Sequence, residues 1–118
     1  AAADGTARLP GVAALIAPHA GLMYSGPVAG YAYRQLDDRR FDTVVLVGPS
    51  HHVDFDGVSV WPRGSFDSPM GPAAIDTDAV DRLRETGDLV RDLPAAHTRE
   101  HSLEMQLPFV RHQLPGAR

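Results

Sequence analysis

The stretch Thr43-Val44-Val45-Leu46-Val47-Gly48-Pro49-Ser50-His51-His52 decides how this 118-residue chain is read. Its first five residues carry no charge and no polar alternation, which is how a strand covered on both faces of a parallel sheet reads. Gly48-Pro49 then breaks the run, and two histidines follow the break. Working upstream, Val12 to Ala17 is a second apolar run, and it too ends in punctuation and a histidine, Pro18-His19-Ala20-Gly21. Between the two runs, Ser25 is placed to cap a helix, with Pro27 in its first turn and Val28, Ala32 and Leu36 spaced four apart. A strand, a helix and a strand make a crossover unit with parallel strands and right-handed connection. The expected class is therefore α/β, a central and mostly parallel sheet flanked by helices.

Downstream, Val58 to Trp61 reads as a short strand and Arg63 to Pro72 as a Gly/Pro-rich loop. Thr77 to Glu85 reads as a short helix stopped by Gly87. A polar loop, Arg91 to Arg99, leads to a last helix over His101 to Leu114. There Leu103, Leu107, Val110 and Leu114 form the core stripe, and Pro108 is expected to kink the helix. Residues 1–118 make at most one domain. Pro115-Gly116 looks like a connection to another element, so an incomplete domain is expected.

Composition removes several classes of function. The 43% hydrophobic and 22% charged fractions are ordinary for a globular chain, and the net charge of -4 gives no electrostatic reason to bind nucleic acid or an anionic membrane. All eleven basic residues are Arg, which excludes lysine Schiff-base chemistry. Without Cys the chain holds no disulfide and no thiolate ligand. No apolar run approaches ~18 residues and no export signal opens the chain, so a cytoplasmic protein is expected. There is no dinucleotide or phosphate-loop fingerprint. Gly48-Pro49-Ser50-His51-His52 lacks the last glycine of a nucleophile elbow, so Ser50 is read as a turn residue.

Ligands on open α/β sheets gather outside the carboxyl ends of the strands, where His19 and His51 both lie. Adjacent strands are ~4.8 Å apart, so two imidazoles leaving one edge can converge on an ion at the ~2.0–2.1 Å typical of zinc. Imidazole equally suits iron and copper. The bland alternative for each is a solvated or hydrogen-bonded loop histidine. His51 and His52 face opposite ways in extended chain, so one of them shares the direction of His19 while the other orients or supports. His101 and Glu104, three apart on a helix, share a face off the core stripe; the alternative is a helix-start carboxylate and a surface histidine. His97 and His112 read as surface. Tyr24, Tyr31 and Tyr33 either line a pocket or pack in the core.

Three segments together resemble one family. Ala17-Pro18-His19-Ala20-Gly21 with Tyr24-Ser25-Gly26, then Gly48-Pro49-Ser50-His51-His52, then Glu100-His101-Ser102-Leu103-Glu104-Met105-Gln106-Leu107-Pro108-Phe109 are similar in order and spacing to the MEMO family. Its bacterial members are labelled AmmeMemoRadiSam system protein B. Ser68-Pro69-Met70-Gly71 resembles the family too, and the match runs from about 12 to 114. The resemblance implies a fold like that of the class III extradiol dioxygenases and a non-haem iron or copper redox centre in the whole protein. His19 and His51 would then be metal ligands, and the third ligand, a Cys in the family, is absent from this chain. It further implies a cleft lined by Tyr24, Ser50, His52, His101 and Glu104. The alternative is a module that uses the old cleft to bind a small molecule or peptide without chemistry.

Overall fold

The computed structural model describes Gly5 and residues 7–118. The first element is helix α1, Leu22–Tyr33, which continues into a 3-10 turn over Arg34–Leu36. It starts one turn earlier than Ser25 suggested. Gly21 stands at its N-cap and accepts from the main-chain N–H groups of Tyr24 and Ser25 (2.8 and 3.2 Å), while the Ser25 hydroxyl donates to the carbonyl of Ala20. Pro27 is thereby carried inside the helix. The buried face is Ala29, Tyr33 and Leu36, and Val28 is exposed.

After α1 the regular elements are short. Strand β1, Val58–Ser59, pairs in parallel with β4, Val90–Arg91, while β2, Ser65–Phe66, and β3, Ala73–Ala74, form an antiparallel hairpin. β2 thus falls in the segment the sequence suggested was a Gly/Pro-rich loop, and β4 overlaps the expected polar loop at Arg91. Between β3 and β4 runs α2, Thr77–Arg84, capped by the Asp76 carboxylate accepting from the Ala79 N–H at 3.1 Å. A single helical turn, α3, spans Ala95–Thr98. The last segment is a 3-10 turn, Glu104–Gln106, running into α4, Leu107–Gln113. Pro108 sits in the first turn of α4, where its missing N–H costs nothing, so it starts the helix instead of kinking it. The class is mixed α/β, with helices around one parallel and one antiparallel strand pair.

The core is a cluster of Tyr33, Leu36, Val110, Leu114 and Ala117, with Phe109 stacked on Tyr33 at 5.0 Å between ring centres. Of the expected stripe, Leu107, Val110 and Leu114 are buried, while Leu103 is half-buried. Val12, Leu15, Ala17, Val44 and Leu46 pack against this cluster from the two apolar runs. Neither run forms a strand in the structure, contrary to the strand–helix–strand unit the sequence suggested. Among the described residues no backbone hydrogen bond joins 12–17 to 43–47, and each run has only one covered face. Ile16, Val45 and Val47 are 99%, 77% and 90% exposed. Covering both faces takes two layers, and the described residues supply one, α1 with α4.

The 43–47 run does carry one parallel-type contact. The Arg118 N–H donates to the Asp42 carbonyl at 3.0 Å, and the Val44 N–H donates to the Arg118 carbonyl at 2.8 Å. Thr43 also donates its hydroxyl to the Asp76 carboxylate, tying the run to the start of α2. No helix among the described residues is long and apolar enough to cross a membrane.

Candidate functional site

The two runs deliver their terminal histidines to one place. The rings of His19 and His51 have centres 5.4 Å apart and planes tilted by 51°. A metal ion held ~2.0 Å from one nitrogen of each ring, at a roughly tetrahedral angle, puts the ring centres about 5 Å apart. The pair therefore has the spacing of two ligands on a common ion. His19 is half-buried and the side chain of His51 is 50% exposed. Among the described residues no group of three His, Asp or Glu side chains is arranged to hold a metal.

Both histidine loops rest on the same turn, residues 100–106. On one side the Gln106 side chain donates to the Pro18 carbonyl at 3.3 Å while its own carbonyl accepts from the buried Tyr33 hydroxyl at 3.0 Å. That links α1 to the residue before His19, and burial pushes the Tyr33 phenol up to about 12. On the other side, Gly48 lies so close to the turn that a Cβ there would meet Leu103 Cδ2 and Ser102 Oγ at 2.9 Å each. Ser102 also donates its hydroxyl to the Pro49 carbonyl at 3.0 Å.

The strongest tie is Glu100, which the sequence showed only as the first residue of a motif. Its carboxylate accepts from the main-chain N–H groups of His51 (2.6 Å), Ser102 (2.9 Å) and His101 (3.0 Å). It also meets His51 Nδ1 at 3.0 and 3.1 Å through its two oxygens. These bonds, led by the His51 main-chain N–H, hold the Glu100 carboxyl far below its ordinary 4.5, against the opposing effect of burial. Glu is not among the residue types that mark a cap in sequence, so no local signal singles out Glu100.

The other expected residues are spread around this pair. Ser50 donates its hydroxyl to the Val53 carbonyl at 2.8 Å, the bond of a turn residue. His101 Nδ1 and Glu104 pair with each other at 2.6 Å on an exposed surface. His52 is exposed, and Tyr24 is 78% exposed beside Gly21. Among the described residues no hydrogen bond or ring contact joins Tyr24, His52, His101 or Glu104 to the rings of His19 and His51. Tyr33 belongs to the core, while Tyr24 and Tyr31 do not.

His97 corrects the sequence reading. It is not a free surface residue: its Nε2 lies 2.9 Å from the Ser59 hydroxyl, and its ring meets Trp61 and Phe66 edge-on at 5.6 and 6.2 Å. Burial pushes its pKa below the ordinary 6.5. An isolated histidine carries no sequence signal for such a cage, because Ser59, Trp61 and Phe66 lie 31 to 38 positions before it.

Comparison with known proteins converges on one family. Residues 6–118 match the family model described as Memo-like protein. A MEMO1 family protein of Sulfurisphaera tokodaii is 44% identical over 99 residues, covering 82% of this chain and 34% of the relative. MEMO1 family proteins of Metallosphaera sedula and Saccharolobus islandicus are 40% and 39% identical over 98 residues, covering 82% of this chain and 35% and 34% of their own lengths. The chain thus spans about a third of the curated relatives it matches. No solved structure gives a significant match.

Proposed function

Because the chain belongs to the Memo-like family, we propose that His19 and His51 are two ligands of a non-haem metal centre, Fe(II) or copper, that serves a redox or dioxygenase-like reaction in the whole protein. The observation that carries this reading is the 5.4 Å ring pair, with one ring pinned by Glu100 and half open to solvent. A neutral imidazole on a rigid loop is a good ligand for either metal. Two imidazoles leave coordination positions for a further protein group, substrate or oxidant, and a bound ion would supply redox and Lewis-acid chemistry there.

This chain's own residues set the entry to that position. The Glu100 carboxylate fixes the His51 ring, the Gln106 amide fixes the loop before His19, and the exposed half of His51 keeps the site accessible. A site with only two protein ligands holds metal weakly, so the expected affinity of this chain alone is modest. The test is metal titration of the protein purified without chelator, using Fe(II), copper and Co(II), beside the His19→Ala/His51→Ala double variant. Stoichiometric binding that disappears in the variant supports the reading. Equal metal content in both sinks it, and His-dependent binding of an organic ligand without metal would favour a recognition cleft instead.

A further inference from the structure

We propose that Glu100 is the positioning residue of this site: it holds His51 as the Nδ1–H tautomer and so makes Nε2 the atom offered to a ligand. The tautomer half stands on geometry alone, and the ligand half rests on the metal reading above.

An ionised carboxylate only accepts hydrogen bonds. Glu100 already receives three main-chain N–H groups at 2.6–3.0 Å, so its oxygens are oriented as acceptors before the His51 ring is considered. The only His51 ring nitrogen within reach, Nδ1, faces both oxygens at 3.0 and 3.1 Å and must therefore be the donor. In a neutral imidazole one nitrogen carries the proton and the other the lone pair, so the lone pair falls on Nε2. This is the arrangement in which a metal-bound histidine gives its second N–H to a carboxylate, which fixes the ring and raises its basicity.

A capping role alone does not account for the contact. Capping the turn needs only the bonds to the N–H groups of His101 and Ser102. The bonds to His51, one to its main chain and one to its ring, reach across 49 positions of sequence to a different loop. The Glu100 side chain is 9% exposed and that of His51 50% exposed, so the buried partner orients the open one.

The test reads the ring directly. In the metal-free protein at a pH where His51 is neutral, imidazole 15N shifts distinguish the protonated nitrogen from the one bearing the lone pair. The expected spectrum of the unmodified protein has a protonated Nδ1, and this needs no variant. In Glu100→Ala the ring should shift toward the Nε2–H form, with Glu100→Gln intermediate because one acceptor oxygen remains; Co(II) affinity should fall about 10–100-fold in Glu100→Ala. A protonated Nε2 in the unmodified protein overturns the proposal, as does an unchanged tautomer in a Glu100→Ala protein that folds. A tautomer change with unchanged Co(II) affinity overturns the ligand half. If the unmodified protein binds no Co(II), the metal reading fails and the ligand half with it, while the 15N spectrum still decides the tautomer.

Discussion

His51 and His97 are the same residue in opposite circumstances. His97 is held within the region from β1 to α3, its ring nitrogen against the Ser59 hydroxyl and its ring in edge-on contact with Trp61 and Phe66. His51 stands at the end of an apolar run, with one nitrogen taken by Glu100 and half of the side chain in solvent. The first arrangement packs the imidazole among aromatic rings, and the second leaves half of it open to solvent. What separates them is the partner: an ionised carboxylate leaves a known nitrogen free, while a hydroxyl that can donate or accept fixes neither.

The contrast is broken most strongly at Gly57. Its φ is +94°, and a Cβ there would stand 2.2 Å from the Leu89 carbonyl oxygen, which accepts from the Val58 N–H. Neither atom can move away without opening the β1–β4 pair. Gly57→Ala is expected to lower stability by about 3 kcal/mol in urea unfolding, while the 15N signature of His51 in the folded fraction stays as it was. A loss of that signature would show that the two regions fold as one unit.

Gly48→Ala probes the other region. Its Cβ would press on the Leu103 methyl and the Ser102 hydroxyl, which can yield, so a cost of about 1–2 kcal/mol is expected. The larger consequence is local: pushing residues 48–49 off the turn lengthens the His51–Glu100 contact. The expected readout is a mixed His51 tautomer with the His97 signals unmoved.

The smallest effect is in pH. A histidine with a folded pKa below its unfolded value contributes stability that is present above the unfolded value and is lost as pH falls. For His97 the loss begins near 6.5 and continues down to its lower folded value. His97→Phe should therefore flatten the pH dependence of the melting midpoint below 6.5 without changing Co(II) binding. Retention of the full slope would assign it to other groups.

Much of this was legible in the sequence. The two apolar runs, the histidines at their ends, the short helix from Thr77 and the Leu107, Val110 and Leu114 stripe all rest on short-range pattern, which periodicity and punctuation capture. The start of α1 was misplaced because Ser25 and Pro27 imitate a cap and a first turn, whereas Gly21 does the capping with its carbonyl. The contacts of Glu100 and His97 were hidden for a different reason. Each depends on residues 31–49 positions away, and nothing in local spacing reports which loops a fold brings together.

The bare side of the 12–17 and 43–47 runs bears on handling. Ile16, Val45 and Val47 are exposed apolar side chains, and exposed apolar surface is how molecules adhere to one another as concentration rises. Spectra and titrations of this polypeptide should accordingly be compared across a dilution series, because copies meeting through these side chains would crowd the loops that carry His19 and His51, which follow them in sequence.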